Sequence, residues 1–184
     1  MVVLPEPRDA VEAVDAERTR EILDGPGGPW GRELPLHLTA TALIVHPPTR
    51  RVLLRWHARQ HAWILVGGHA DPGETDPLAI ALREGAEETG LTDLAPWPDE
   101  NPVHLVIVQV PASPREPAHE HADLRFMLAT GSPDAVRPER EDAPLRWLTL
   151  AEARELTTEA NVRETLDRAA TALSDAQDGA RPHA

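Results

Sequence analysis

Short apolar runs and turn residues divide this chain into predicted strands and helices. Runs rich in β-branched and aliphatic residues predict six strands, at residues 36–45, 51–56, 62–66, 103–110, 123–129 and 145–148. Apolar residues at helical spacing predict three helices, at residues 8–23, 151–156 and 161–173. Prolines and glycines separate these segments, as in Pro47-Pro48 between the first two strands. The pattern therefore predicts a sheet accompanied by helices.

The order of these elements limits the fold class. The predicted strands arrive in runs, which is not the strict alternation of a doubly wound parallel sheet. The order favours an α/β fold in which helices cover a mixed sheet on two sides. For 184 residues we expect a single domain over residues 1–173, with an N-terminal helical extension at about residues 8–23. Residues 174–184 have little to bury, and we expect them to form a disordered tail.

A fourth predicted helix follows the third strand and carries three glutamates. Asp76-Pro77 is a start signal, because Asp caps the free amides of a first turn and Pro suits the first helical position. Gly90 occupies the position of a C-terminal glycine stop. At about 100° per residue, the residues predicted to pack are Leu78, Leu82, Gly85 and Thr89. The residues predicted to lie roughly opposite are Glu84, Glu87 and Glu88.

Three carboxylates on adjacent turns repel one another, so their charge needs compensation. Like-charged pairs at this spacing cost an isolated helix roughly a few tenths of a kcal/mol each. A hard divalent cation would compensate them, because Mg²⁺ and Mn²⁺ prefer oxygen ligands and Mg²⁺ often binds through carboxylates and substrate phosphates. The alternative interpretation is an acidic face that contacts only water, with Arg83 paired to Glu87 at the i, i+4 spacing.

The residues that precede the helix favour the cation site. An apolar run at residues 62–66 leads directly into Gly67-Gly68, where the backbone can approach a ligand closely. The segment resembles the Nudix box, G-x5-E-x7-R-E-U-x-E-E-x-G-U with U apolar, and its fixed residues correspond to Gly68, Glu74, Arg83, Glu84, Glu87, Glu88, Gly90 and Leu91. Two departures occur. Eight residues instead of seven separate Glu74 from Arg83, and Gly85 replaces an apolar residue.

The resemblance to the Nudix family implies both a fold and a chemistry. It implies an α/β/α sandwich with a mixed sheet, and hydrolysis of a phosphoanhydride bond in a nucleoside diphosphate linked to another moiety, by attack of water on phosphorus. It also implies Mg²⁺ or Mn²⁺ as cofactor, held by the Gly68 carbonyl, Glu84, Glu87 and Glu88. Glu84 is then either a cation ligand or the general base, and Arg83 orients the glutamates through Glu74.

A second group of polar residues precedes the fifth predicted strand. Glu120 lies between His119 and His121. Nudix proteins often supply an extra acid from a loop remote in sequence, so Glu120 is predicted to be a remote metal ligand. We expect at most one of the flanking histidines to face the site. A transition-metal site of the HxH type lacks a clear third ligand in the sequence.

Three observations bear on the substrate. His69 follows Gly68 directly and is a candidate for contact with phosphate. Trp97 lies in the loop after the helix and is the best candidate to stack a base. The chain has no tyrosine, which weakens an analogy to Nudix members that stack an adenine on a tyrosine downstream of the box. Other lone histidines, such as His37, are expected to be structural or exposed.

Composition and charge limit the partners. The 18 Lys and Arg residues against 31 Asp and Glu residues give a formal net charge of −13, which disfavours nucleic acid and anionic membranes as partners. The absence of cysteine excludes disulfides, cysteine nucleophiles and thiolate metal sites. No apolar run is long enough to span a membrane and no signal peptide is evident, so we expect a cytoplasmic protein. The sequence leaves open a homodimer.

Two functions from different classes remain after these observations. The first is a metal-dependent hydrolase of a nucleotide-type diphosphate. The second is a Nudix-fold module that binds or senses a nucleotide without cleaving it. Intact glutamates at positions 84, 87 and 88 favour the hydrolase, because a pure binding module could lose them. A third interpretation, isopentenyl diphosphate isomerase on the same fold, is disfavoured because that chemistry resembles one needing a catalytic cysteine.

Overall fold

A computed structural model describes residues 2–114 and 116–179 of the chain. Its strands are β1 (Leu36–His46), β2 (Arg51–His57), β3 (Ala62–Ile64), β4 (Val66–Gly68), β5 (Ala95–Pro96), β6 (His104–Val110), β7 (His119–Ala129) and β8 (Leu145–Thr149). Its α-helices are α1 (Ala10–Asp24), α2 (Pro77–Thr89), α3 (Leu150–Leu156) and α4 (Ala160–Gly179). Among the described residues, no helix has the length and apolar character needed to cross a membrane.

The eight strands form one mixed sheet around β1. Strand β1 pairs in parallel with β7, from Leu36 opposite Glu120 to Val45 opposite Ala129. It pairs antiparallel with β2 and with β4. Strands β5 and β6 extend the sheet antiparallel to β7, and β3 and β8 extend it antiparallel to β2. The predicted mixed sheet is confirmed.

Helices cover both faces of the sheet. Alternate residues of β1 point to opposite faces because side chains alternate along a strand. On one face, here called the α2 side, residues such as Leu38 and Ile44 share a core with Ala16 of α1 and Ile80 of α2. On the other face, the α4 side, Leu43 and its neighbours pack against residues of α3 and α4. The architecture is therefore an α/β/α sandwich, as the Nudix resemblance implies.

The ends of α2 follow from its local sequence. The Asp76 carboxylate accepts a hydrogen bond from the Leu78 amide at 3.0 Å, and Pro77 is the first helical residue. At the other end, Gly90 has φ 69°, a left-handed conformation that glycine adopts without steric cost. Its amide donates to the Ala86 carbonyl at 2.8 Å. The predicted helix limits are confirmed.

The buried face of α2 differs from the predicted one. The buried residues are Pro77, Ile80, Ala81, Gly85, Glu88 and Thr89. Leu78 and Leu82 are only half-buried. The prediction that all three glutamates lie opposite the packed face is wrong for Glu88, which is 8% exposed. Helix α2 packs against both β1 and β4, and this wider contact includes Glu88 in the covered arc.

Three predicted boundaries also change. The predicted strand at residues 62–66 is two short strands separated by Leu65. Strand β7 begins at His119, inside a predicted polar loop, because its first residues pair with β1. Helix α4 continues to Gly179 and so includes residues 174–179, which the sequence assigned to the tail. Residues 180–184 of that predicted tail lie outside the described residues.

Gly85, one of the departures from the Nudix box, lies where α2 meets the sheet. A Cβ on Gly85 would lie 2.9 Å from the Leu94 Cδ1 atom and 3.7 Å from Ile44 Cδ1. We expect Gly85→Ala to change the free energy of unfolding by less than about 1 kcal/mol, because better helix propensity offsets a small shift of Leu94.

Gly85→Leu is the matched test, because it should destabilise the fold by about 2 kcal/mol or more through overpacking. Urea denaturation of both variants and the wild type measures the difference. Equal stability of Gly85→Leu and wild type would contradict the close packing at this glycine.

Candidate active site

A cavity of about 630 Å³ opens on the α4 side of the sheet, beside the end of β4. Its floor includes Thr39 and Thr41 of β1 and Asp123 of β7. Gly67, Gly68, His69 and Glu88 bring the Nudix-box segment to its wall. Four arginines also line it, and we call it the arginine-lined cavity after them: Arg32, Arg55, Arg59 and Arg125. Its size and mixed lining are those of a small-molecule site.

Arg83 connects most of the box residues. Its guanidinium donates to both Glu74 carboxylate oxygens, at 3.0 and 2.8 Å, and to the His69 carbonyl at 2.9 Å. It also donates to Glu84 and Glu87, each at 3.0 Å. These hydrogen bonds raise the pKa of Arg83, and they lower the pKa of Glu74. The extra residue between Glu74 and Arg83 therefore does not separate the two side chains.

Glu84 lies directly against Gly68. A Cβ on Gly68 would be 2.6 Å from the Glu84 Oε1 atom, so a larger residue at position 68 would displace the carboxylate from this backbone. The Glu84 side chain is 15% exposed. Burial raises the pKa of Glu84, and the Arg83 charge only partly opposes that increase. The site thus holds a carboxylate whose negative charge is incompletely compensated.

Glu88 is the most buried of the three glutamates. Its carboxylate contacts the Arg55 guanidinium at 3.2 Å and accepts a hydrogen bond from the Gly67 amide at 3.2 Å. Burial nevertheless raises the pKa of Glu88 to about 7, with Arg55 opposing the increase. Glu87, in contrast, is 54% exposed. The alternative of a wholly solvated acidic face therefore fails for Glu84 and Glu88.

The raised pKa of Glu88 predicts a pH-dependent stability. Its folded pKa of about 7 exceeds the ordinary value of 4.5, so the folded chain binds more protons between these pH values. Stability of the cation-free chain should therefore fall as pH rises from about 4.5 to above 7, by on the order of 3 kcal/mol from this group. Glu88→Gln should remove this part of the pH dependence of stability.

Chemical denaturation at pH 5 and at pH 8 with chelator, on wild type and Glu88→Gln, isolates the contribution. The difference between the two proteins matters, because buried histidines shift the wild-type profile in the opposite direction. Parallel profiles would contradict the raised pKa.

The three box glutamates offer the oxygen ligands that a hard divalent cation needs. Their carboxylates do not, however, point toward one common position. Among the described residues, the three box glutamates do not place their oxygens all within 4.8 Å of one another. Arg83 holds Glu84 and Glu87, while Glu88 turns to Arg55. Of the three, only Glu88 lines the cavity. Carboxylate and carbonyl oxygens are nevertheless the donor set that Mg²⁺ and Mn²⁺ prefer.

Glu120 lies away from this site, which corrects the prediction that it is a remote metal ligand. It belongs to the set of β7 residues on the α2 side of the sheet, and its carboxylate pairs with Arg18 of α1 at 2.5 Å. The Gln109 amide also donates to it. These partners lower the pKa of Glu120. The physical reason is strand alternation, which directs Glu120 to one face and its neighbours to the other.

Four histidines form a cluster at one end of the cavity. His37 lies opposite His121 in the parallel register of β1 and β7, and His69 joins them from the end of β4. The Nε2 atom of His69 is 3.2 Å from those of His37 and His121, and the Nε2 atoms of His119 and His121 are 3.1 Å apart. We call His37, His69, His119 and His121 the histidine cluster.

The cluster corrects two expectations from the sequence. The prediction that at most one of His119 and His121 faces the site is wrong, because residues two apart on a strand share a face. His37 is buried as expected of a structural residue, but it also contacts the cluster. Burial lowers the pKa of His69 to about 3 and that of His121 to about 4. Both rings are therefore neutral at pH 7.

Trp97 does not line the cavity, which corrects its proposed role in stacking a base. It packs against the core on the α4 side, and its amide donates to the Met127 carbonyl at 2.9 Å. Among the described residues, the only aromatic rings that line the cavity are histidines. His69, the other candidate for substrate contact, does line it.

Sequence reasoning missed an ion pair in the cavity floor. Asp123 accepts hydrogen bonds from the Thr39 and Thr41 hydroxyls, at 3.0 and 2.8 Å, and from Arg125 Nε at 2.8 Å. Arg125 also donates to the Asn161 carbonyl of α4 at 2.9 Å. The sequence does contain a signal for this pair. Polar residues occupy the alternate positions 119, 121, 123 and 125, which lie on one face of β7.

Comparison with known proteins identifies the domain. Residues 35–169 match the NUDIX domain family. No curated protein sequence matches the chain. The fold is similar to that of a C. elegans Ap4A hydrolase in a binary complex, with TM-score 0.60, 22% identity, and coverage of 75% of this chain and 98% of that one.

Two bacterial structures are similar as well. An E. coli dihydroneopterin triphosphate pyrophosphohydrolase gives TM-score 0.55 at 21% identity, covering 73% of this chain and 94% of its own. A MutT NUDIX hydrolase from Burkholderia pseudomallei gives TM-score 0.50 at 22% identity, covering 72% and 97%. At these identities the neighbours show the fold.

Proposed function

Because this chain belongs to the NUDIX family, we propose that it is a divalent-cation-dependent hydrolase of a nucleotide-type diphosphate. The reaction proposed is cleavage of a phosphoanhydride bond, by attack of water on phosphorus, in a nucleoside diphosphate linked to another moiety. One observation carries the proposal. Glu88 is buried at the wall of a cavity that four arginines line, Glu84 is half-buried against Gly68 beside it, and the charge of both carboxylates is incompletely compensated.

The cation proposed is Mg²⁺ or Mn²⁺, and the box supplies its ligands. Gly68 would contribute its carbonyl oxygen, and Glu84, Glu87 and Glu88 would contribute carboxylates. When bound, such a cation neutralises phosphate oxygens and lowers the pKa of a bound water. Glu84 is a ligand or the general base in this proposal. Arg83 is a positioning residue, because it holds Glu74, Glu84 and Glu87 together without lining the cavity.

The arginines explain how an acidic protein would bind a polyanion. The chain has a formal net charge of −13, which repels phosphates at long range. Arg55 and Arg125 pair with acids inside the cavity. Arg32 and Arg59 are exposed, line the cavity, and form no ion pair within the part of the chain that the structure describes. These two side chains are therefore available to phosphate oxygens.

The side chains that line the cavity also limit how the base of a nucleotide would be recognised. The structural neighbours act, by their descriptions, on Ap4A and on dihydroneopterin triphosphate. A nucleotide-type substrate is proposed for this chain on the same fold. Because no tryptophan among the described residues lines the cavity, recognition of a base would rest on histidine rings, arginine planes and hydrogen bonds.

A substrate screen tests the proposal. Nucleoside triphosphates, dinucleoside polyphosphates, nucleotide sugars, ADP-ribose and NADH would each be incubated with the chain and Mg²⁺ or Mn²⁺, and release of phosphate or pyrophosphate would be measured. We expect turnover of at least one substrate, and loss of that turnover with chelator. If none is cleaved while nucleotides bind, the non-catalytic binding or sensing module replaces the hydrolase.

A further inference from the structure

We propose that His37, His69 and His121 form a second metal site, selective for Zn²⁺ or a similar first-row transition ion and distinct from the carboxylate site of the box. Among the described residues, these are the three whose ligand atoms all lie within 4.8 Å of one another. His37 lies on β1, His121 lies on β7 and His69 directly follows β4, and the sheet register brings the three together. This inference stands whether or not the proposed hydrolase activity is found.

Two backbone contacts fix the rings as acceptors toward the cluster. His37 Nδ1 lies 3.0 Å from the Leu34 carbonyl oxygen, and His119 Nδ1 lies 2.9 Å from the Pro117 carbonyl oxygen. A carbonyl oxygen only accepts, so each Nδ1 carries the proton. With one proton on each ring, the Nε2 lone pairs of His37 and His119 therefore point into the cluster. Such a backbone contact is the usual support of a metal-bound imidazole.

With one proton on each ring, hydrogen bonds alone cannot satisfy the cluster. The Nε2 atoms form a chain of three contacts, from His37 to His69, to His121 and to His119, at 3.2, 3.2 and 3.1 Å. Each contact needs one proton and one lone pair. If only one of the two middle atoms carries a proton, one outer contact joins two lone pairs. If both carry a proton, the middle contact joins two N–H groups.

A metal cation removes this conflict, because it binds the Nε2 lone pairs directly. Tetrahedral Zn²⁺ binds imidazole nitrogen at about 2.0–2.1 Å, which places neighbouring nitrogens about 3.4 Å apart. The His69 nitrogen is already 3.2 Å from its two neighbours in the proposed site. The fourth position would face the cavity, which His69 and His121 line, and is open to water or to an oxygen of a bound ligand. Within the cluster, the Nε2 atom of His119 contacts only that of His121, so His119 is a supporting residue.

The two sites should prefer different metal ions, because their ligand atoms differ. The box offers carboxylate oxygens, which suit Mg²⁺ and Mn²⁺, whereas the cluster offers imidazole nitrogens, which suit Zn²⁺, Co²⁺ and Ni²⁺. Gly68 and His69 are consecutive in the chain, so the sites would be neighbours across one turn. We therefore expect the cluster to bind Zn²⁺ even when Mg²⁺ is in large excess.

A cobalt titration tests the site without any substrate. The full chain, freed of metal with chelator, would be titrated with Co²⁺ in millimolar Mg²⁺, and then with Zn²⁺. We expect one Co²⁺ per chain, with the visible absorption of a tetrahedral site, displaced by Zn²⁺. His69→Ala and His121→Ala should each weaken binding by about a hundredfold or more, on the scale of a lost ligand.

His46→Ala is the matched control, because His46 contacts Thr49 outside the cluster. It should leave Co²⁺ binding unchanged. The proposal is overturned if wild type gives no tetrahedral signal, if His69→Ala binds as wild type does, or if Glu88→Gln and not the histidine variants abolishes binding. If a histidine variant does not fold, anomalous diffraction at the zinc edge, measured on wild-type crystals with Zn²⁺, tests the site instead. A peak among the three Nε2 atoms supports the site, and a peak only at the glutamates overturns it.

Discussion

Glu88→Gln should reduce turnover by about a hundredfold or more while the fold survives. In the proposed site Glu88 is a cation ligand, and amide replaces carboxylate with the same shape but without the charge that holds the cation. The carboxylate is 10% exposed and burial raises its pKa to about 7. The stability of the cation-free chain at neutral pH should therefore be higher in Glu88→Gln than in wild type, by up to about 3 kcal/mol, because the cost of ionising the buried carboxylate is gone. Glu87→Gln should lower turnover as well, with less effect on stability because Glu87 is largely exposed.

Rate and thermal midpoint, each with Mg²⁺ and with chelator, separate a ligand from a surface charge. Glu155→Gln on α3 is the matched control, because Glu155 is exposed and lies outside the site. Mg²⁺ should raise the midpoint of wild type and of the control, and should raise that of Glu88→Gln much less. Near-normal turnover in both box variants would refute the assignment of the cation site.

Arg125→Met should cost about 3–5 kcal/mol of folding free energy, because it leaves Asp123 buried without its cation. Arg125 is 4% exposed and Asp123 is 7% exposed. Arg125 also joins β7 to α4 through its hydrogen bonds to Asn161 and to the Thr165 hydroxyl at 2.9 Å. The expected fall in thermal midpoint is roughly 10 °C for a chain of this size.

Two further variants test whether the unpaired charge of Asp123 causes the loss of stability in Arg125→Met. The double variant Asp123→Asn with Arg125→Met should be more stable than Arg125→Met alone, because the unpaired charge is gone. Arg140→Met is the control, since Arg140 pairs with Asp142 at the same spacing of two residues but on an exposed surface. Its thermal midpoint should not change. A double variant no more stable than Arg125→Met would show that packing, and not the buried charge, sets the cost.

Local sequence was enough to predict the elements that present the box. Asp76, Pro77 and Gly90 set the limits of α2, because capping and left-handed glycine are decided within a few residues. The spacing of Gly68, Arg83 and the glutamates identified the family, and the family match over residues 35–169 confirms it. The order of strands and helices predicted a mixed sheet, which is confirmed as well.

The sides on which key residues lie were not predicted correctly. Helical periodicity places Glu88 opposite the packed face of α2, yet contact of the helix with both β1 and β4 buries it. The sequence predicts Glu120 as a ligand of the cation site, yet it pairs with Arg18 of α1 on the opposite face of the sheet. The sequence predicts Trp97 in the substrate site, yet it packs against the core. In each case the error concerns the neighbour of a side chain and not the element that carries it.

The sequence by itself therefore determined the family, the helix that carries the glutamates and the residues next to them in the chain. Tertiary structure alone decided the histidine cluster, because His37 and His121 are neighbours only through the parallel register of β1 and β7. That register is set by burial of both faces of the sheet, and a shift of one residue would exchange them. Caps and periodicity act over one or two turns of chain, whereas register depends on packing between segments far apart in sequence.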